Sequence, residues 1–410
     1  GFLIITLLNA TTAGVEDSIR VNFASLLGGH LYVSGEEMLE SGRIVSSVQH
    51  PDAIDRAVEE LDAEVTKVTR RSNAQADIIF GARTTSGFLS GVDFEDESDL
   101  FDAFVPVSGN VGEIRDNETG IILPASVAEE IQAVPGEIVI LRLSTVTGQS
   151  SVGELELVAT FEDPQSIGIS RSYMHLATLN ELLGLEPDNF QSLNVYLGDA
   201  RRMNQAAREL TRILSEDLTV VEREEQAQED GFAAFGFGGA SDEDPWEGVR
   251  YSVTTLEDVL GQVLAILETV DAVALVVFVA LLVITMVGIT NTYRMVVLER
   301  QNEIGTMRAL GMHRNQIRNL FLSEASLTAL LGVAVGAVAA AVLMFVFGLI
   351  SFSGSAIEFI TQNGNLQFIV APGVALRNVL IVLIVSAAAA YFPARRGARL
   401  RPVDALRATA

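Results

Sequence analysis

Hydrophobic and polar positions divide this chain into two regimes. In the last third, apolar residues come in long runs: Ala272 to Ile289 is broken only by Thr285, a longer run extends from Ala325 to Ile350, and another from Val374 to Phe392. The shortest of these, at 1.5 Å per residue, gives roughly 27 Å of helix, close to one bilayer core. Each run predicts a membrane-spanning helix. The opening "GFLIITLLNATTAG" has neither a charged leading region nor a small-residue cleavage site, so it is read as the outer half of a first span that begins before Gly1.

Between about 30 and 250 the pattern is short-range and mixed. "PDAIDRAVEELDAE" places Pro51 in a favourable first turn, with Ile54, Val58 and Leu61 on one helical face. "GEIVILRLS" and "GELELVATF" alternate as strands do, "TLNELLGL" predicts a helix capped by Thr178 and closed by Gly184, and "DARRMNQAARELTRILSEDL" predicts another. The expected fold is a membrane α-helical chain of four spans, with a large α+β extracytoplasmic domain inserted between spans 1 and 2. The expected divisions are 1–29 for the first span and stalk, 30–250 for the domain, 251–293 for a stalk and second span, and 294–318 for a cytoplasmic helix. They continue with 319–350 and 374–392 for spans joined by an external loop at 351–373, and end with a tail at 393–410.

Charge sets the orientation. Residues 1–250 carry 16 basic and 44 acidic side chains, and 251–410 carry 11 and 9. Arg294, Arg300, Arg308, Arg314 and Arg318 lie between the second and third spans, and Arg395, Arg396, Arg399, Arg401 and Arg407 follow the last, whereas 351–370 has no Arg or Lys. By the positive-inside rule the Arg-rich segments are cytoplasmic and the acidic domain is outside. Arg377, Glu268, Asp271 and Glu324 fall at run boundaries, where long or interfacial side chains reach water. Gly332, Gly336 and Ala340 sit at small-residue spacing suited to close helix packing.

Composition excludes several chemistries. The single lysine, Lys67, rules out a Walker A loop within this sequence, so ATP and Mg belong to a partner. The acidic balance excludes nucleic acid as a partner. With no cysteine there is no disulfide and no thiolate metal site, and His30, His50, His175 and His313 are scattered. "DFEDESDLFD" spaces its acids as a calcium loop does, but Ser98 stands where the loop needs glycine, so a solvated acidic loop is expected and no metal is assigned.

The stretch between spans 2 and 3 raises the functional question. Ile304, Met307 and Gly311 share one face, with Glu299, Arg300, Glu303 and Arg308 on the other, and Gly311 suits a left-handed cap. Such an elbow is either a solvated loop or a docking piece for a cytoplasmic partner.

"LERQNEIGTMRALGMHRNQIRNLFLSEA" resembles the signature of FtsX-like permeases, the membrane subunits of MacB-type ABC transporters, through Glu303, Gly305, Arg308, Ala309, Gly311, Ile317 and Glu324. "YFPARRGARLRPVDALR" resembles the family's C-terminal tail through Pro393, Ala394, Arg395, Ala398, Pro402, Ala405, Leu406 and Arg407. The order of "SGVDFED", "GIILPASVAEEI", "PGEIVILRLS" and "LVATFED" resembles the MacB-like periplasmic domain.

The resemblance implies that the elbow is a coupling helix seated in a separate cytoplasmic ABC ATPase dimer, with contacts from Glu299, Arg300, Glu303, Ile304, Gly305, Met307, Arg308, Ala309, Leu310 and Gly311. It implies a non-catalytic, multi-pass subunit of the bacterial inner membrane, paired with a second copy or a homologous permease. The absence of a fused ATPase is similar to lipoprotein-releasing subunits, so lipoprotein extraction is the expected task. The alternatives are an export permease for another hydrophobic substrate and an FtsX-like scaffold controlling cell-wall hydrolases. Phe232, Phe235, Phe237 and Trp246, in a Gly-rich acidic segment, are the candidate client contact or, alternatively, part of a tether.

Overall fold

The computed structural model describes residues 1–39, 42–102, 104–162, 171–221, 246–351, 360–362 and 364–399. The described residues divide into two compact units, one formed by residues 1–18, 265–351 and those described between 360 and 399, and the other by those within 19–264.

In the second unit the chain enters from helix α1 (Phe2–Leu27), which ends where Gly28 turns left-handed with φ of 84°. The N–H groups of Gly28 and Gly29 both reach the Ala24 carbonyl at 2.9 Å, closing the last turn. Strand β1 (Leu31–Met38) follows, then β2 (Ile44–Ser46), α2 (Pro51–Glu59), β3 (Val65–Phe80), β4 (Arg83–Val92), α3 (Ser98–Asp102) and β5 (Pro106–Gly109). The remainder is β6 (Gly120–Pro124), α4 (Ala125–Ile131), β7 (Ile138–Ser144), β8 (Ser150–Phe161), β9 (Arg171–His175), α5 (Leu176–Leu183), β10 (Ser192–Leu197), α6 (Met203–Asp217) and β11 (Val249–Thr255).

Two sheets share the long β3. Its first half joins β10, β1 and β11 in antiparallel order. Its second half closes a ring of six strands, β3-β4-β9-β6-β8-β7 and back to β3, in which β4 with β9 and β6 with β8 are parallel. Closure pairs the strand edges within the ring. Strand β7 shows the period of two: Val139, Leu141 and Leu143 are buried while Ile138, Ile140 and Arg142 are exposed. Ile121 and Leu123 of β6 enter one core with Leu141, Leu157 and Leu179, whereas Ile122 enters an aromatic core with Phe94, Phe101 and Tyr173.

Most of the expected elements form. Helix α2 buries Ile54 and Val58 and α6 buries Leu210 and Leu214. Helix α5 differs at its start: the N-cap is His175, and the Thr178 hydroxyl donates instead to the Glu118 carbonyl at 2.7 Å. Its end at Gly184 has the left-handed φ of 76°.

The acidic stretch after β4 is organised by inward bonds. Asp93 Oδ1 accepts from the backbone N–H groups of Glu95 and Asp96, and Glu97 turns into the core against Arg71. Arg71 Nε donates to Glu97 Oε1 at 2.8 Å, Nη2 donates to Oε2, and Nη1 donates to the Leu26 carbonyl at 2.6 Å. Burial alone would lower the guanidinium pKa, but the Glu97 charge and hydrogen bonds raise it above its ordinary value.

The first unit is helical. Helix α7 (Leu256–Val259), still within the second unit, begins at a capping box between Thr255 and Asp258, and α8 runs without interruption from Gly261 to Glu299. Its 39 residues correspond to about 58 Å, nearly twice a bilayer core. Leu256 and Leu260 of the expected stalk stripe are buried, and Val263 and Leu267 are half-buried. Then come α9 (Gln301–Ala309), α10 (Arg314–Gly348) and α11 (Pro372–Gly397). Helices α1, α8, α10 and α11 are each long and apolar enough to span a membrane.

Ile5 of α1 packs with Ala274, Phe278 and Leu282 of α8, against Ile381 and Val385 of α11. The stretch before α11 lies along α1: Ile369 N–H donates to the Ala10 carbonyl at 3.0 Å, and a Cβ on Gly14 would fall 1.8 Å from the Gln367 carbonyl oxygen.

Candidate coupling site

Between α8 and α10 the chain makes two joints. At Arg300 the backbone leaves helical values, with φ of −96° and ψ of 22°, so α9 starts on a new axis. At its end Leu310 caps the helix and Gly311 takes φ of 101°, with nothing within 4 Å of where a Cβ would stand. Only the backbone conformation therefore demands glycine there. Helix α10 restarts at His313, whose N–H is accepted by Gln316 Oε1 at 2.8 Å.

The elbow is anchored from inside. Ile304 and Ile317 are fully buried in a cluster with Val297, Phe321, Ala394 and Ala398, and Met307 packs on its edge. Burying a side chain of this size contributes about 1.5–3 kcal/mol each, enough to hold a nine-residue helix that would not persist alone in water. The end of α11 must be small to fit: a Cβ on Gly397 would meet Val297 Cγ1 at 2.6 Å. The alternation of buried Pro393, Ala394, Gly397 and Ala398 with exposed Arg395 and Arg396 thus has a packing cause.

This arrangement separates the sequence-derived residues. Ile304, Gly305 and Met307 face the protein's own core or its edge, so they position the elbow. Glu299, Arg300, Glu303, Ala309, Leu310 and Gly311 face outward. Leu310 is 88% exposed, the most exposed of the large apolar side chains described. Arg300 Nη1 lies 3.4 Å from Glu324 Oε2, bridging the start of the elbow to α10 about three turns past its first residue. Arg308 is half-buried, and its Nε has no partner among the described residues. Met295 and Leu298, each 64% exposed, are further outward apolar side chains; they fall within the expected cytoplasmic helix of 294–318 but were not among its expected contacts.

Of the small-residue triad, a Cβ built on Gly336 would meet Phe2 Cδ1 at 3.3 Å and Ala340 is buried, whereas a Cβ on Gly332 would meet nothing within 4 Å among the described residues beyond its own helix backbone. Phe232, Phe235 and Phe237 lie outside the described residues, as do Pro402, Ala405, Leu406 and Arg407 of the tail. Trp246 is half-buried beneath the Arg250 guanidinium, whose carbon stands 3.3 Å from the ring centre.

Comparison with known proteins matches residues 1–213 to the MacB-like periplasmic core domain and 275–402 to the FtsX-like permease C-terminal domain. An ABC transporter permease of Methanocaldococcus jannaschii is 31% identical over 157 residues, 38% of each chain. The macrolide export ATP-binding/permease protein MacB 1 of Yersinia pestis (strain Antiqua) is 34% identical over 126 residues, 30% of this chain and 17% of that protein. The matches therefore span well under two thirds of either relative. The extracellular domain of the noncanonical ABC-type transporter YknZ from Gram-positive bacteria aligns with a TM-score of 0.31 and 15% identity, over 45% of this chain and 94% of that one. With both halves matched in order around an anchored elbow and four span-length helices, the chain belongs to the FtsX-like, MacB-type family of ABC transporter permeases.

Proposed function

We propose that this chain transmits the ATP-driven closure of a separate cytoplasmic ABC ATPase, through the α9 elbow, to its extracytoplasmic domain. One observation carries the reading: Leu310 stands 88% exposed at a glycine turn, on a helix whose opposite face is locked into the protein's own core. An apolar side chain held in water on a rigid mount is suited to burial in a partner's cleft. Glu303 and Glu299, also exposed, supply flanking charge. ATP and Mg reside in that partner, and the permease works as a pair in the bacterial inner membrane with its acidic domain outside.

The task we assign is extraction of lipoproteins. Export is the competing reading, favoured by the Yersinia relative's name as a macrolide export protein. The test uses the chain co-purified with its ATPase and reconstituted in liposomes. Leu310→Asp and Glu303→Arg are expected to reduce permease-stimulated ATP hydrolysis at least tenfold while leaving membrane insertion intact, and stimulation equal to wild type refutes the elbow's role. Release of labelled lipoprotein on adding ATP separates extraction from export.

A further inference from the structure

Within the helical unit, α1, α8, α11 and the stretch before α11 enclose a cavity of about 360 Å³, in the size range of small-ligand sites. Its walls carry Thr6, Asn9, Glu16, Asp271, Arg377 and Asn378 among apolar side chains. Two of these groups are unsatisfied: Asn378, 2% exposed, has a buried Nδ2 with no partner among the described residues, and so does the Thr6 hydroxyl.

The Thr6 case is pointed, because other threonines on these helices satisfy themselves. Thr11 and Thr12 donate to the Leu7 and Leu8 carbonyls at 2.8 and 3.2 Å, and Thr285 and Thr292 do the same on α8. A buried amide nitrogen left without an acceptor costs about 1–3 kcal/mol, so it is usually matched by water or a ligand.

The charges narrow the ligand. Arg377 and Asn378, consecutive near the start of α11, both line the cavity and both carry N–H donors, fitting an anionic oxygen. Glu16 and Asp271 are carboxylates on the other two helices, fitting an ammonium group. A simple anion would face two carboxylates and a simple cation would face a guanidinium, whereas a group carrying both charges meets complementary walls. Asp271 immediately precedes one apolar run and Arg377 lies at the start of another, so the cavity stands at headgroup depth, at the end of the spans opposite the arginine-rich elbow.

We infer that this cavity seats the zwitterionic ethanolamine headgroup of a membrane phospholipid, with phosphate against Arg377 and Asn378 and ammonium against Glu16 and Asp271. Such a seat is independent of which ATPase or cargo the chain serves.

The test is native mass spectrometry of the purified full-length chain after incubation with equal phosphatidylethanolamine and phosphatidylglycerol of the same acyl chains. Wild type is expected to retain the ethanolamine lipid at least fivefold over the glycerol lipid. Thr6→Val, nearly isosteric, and Asn378→Leu are expected to reduce that preference to about twofold or less, and Arg377→Glu to abolish it. No preference in wild type, or a preference unchanged in all three variants, overturns the assignment. Soluble phosphoethanolamine that displaces the bound lipid at micromolar concentration also overturns it, because the site would then be built for a free solute.

Discussion

Replacing Glu97 by alanine would strand a guanidinium that the fold has taken out of water. The Arg71 and Glu97 side chains are 1% and 2% exposed, and the carboxylate supplies two of the three hydrogen-bond acceptors that the structure gives the guanidinium. After substitution only the Leu26 carbonyl remains. Nearby phenols cannot take over: burial pushes the Tyr196 hydroxyl up to about 12 and Tyr32 higher still, so both stay neutral at physiological pH. Relief by backbone movement is also restricted, since a Cβ on Gly28 would already lie 2.6 Å from Arg71 Cζ.

Breaking one side of a buried pair costs about 3–5 kcal/mol, whereas replacing both partners by apolar groups is often near neutral. For a unit of roughly 200 residues each kcal/mol shifts Tm by about 2–4 °C, so Glu97→Ala should lower it by about 6–20 °C. The assay is thermal unfolding of the purified full-length chain followed by near-ultraviolet circular dichroism. Arg71→Met combined with Glu97→Leu should recover most of the loss. A single-variant shift under about 2 °C, or a double variant as damaged as the single, would refute the account of this pair.

Gly14→Ala should destabilise the helical unit by about 1–3 kcal/mol, because the added methyl meets the Gln367 backbone carbonyl and no flexible side chain can yield. Gly332→Ala, facing open space on α10, should instead be neutral or slightly stabilising, and scanning fluorimetry in detergent distinguishes the two signs. His30 accepts the Leu197 N–H on Nδ1 at 3.0 Å, and burial lowers its pKa below 6.5. The unfolded chain then binds a proton first, so this stability is complete above about pH 6.5 and declines as pH falls toward the folded value. His30→Gln should flatten the Tm profile between pH 7.5 and 5, and an unchanged slope would assign the acid sensitivity elsewhere.

The spans were legible because a bilayer imposes one rule, continuous apolarity over about twenty residues, which is local in sequence. The same holds for helix α2, whose buried Ile54 and Val58 lie one turn apart, and for β7, whose buried residues alternate. At the elbow the sequence correctly marked a short helix and a left-handed glycine. It could not tell which residues of the 299–311 motif face a partner, because Ile304 is claimed by Phe321 and Ala394, the latter 90 residues away in the chain. Leu310 and Ile304 are both aliphatic by composition, yet one is 88% exposed and the other buried.

Charged residues were the least readable. Nothing local distinguishes Glu97 from the other acids of "DFEDESDLFD", or Arg71 from Arg70, which instead forms an ion pair at the surface with Asp55. The same limit applied to the closed six-stranded ring, whose parallel pairs β4 with β9 and β6 with β8 join strands distant in sequence. The sequence alone determined the spans and the most periodic elements of the domain, among them α2, α6, β7 and β8, since those depend on periodicity along a local stretch. Only the tertiary structure decided which polar groups left water and which apolar ones stayed in it, because burial is a property of the neighbours a fold brings together.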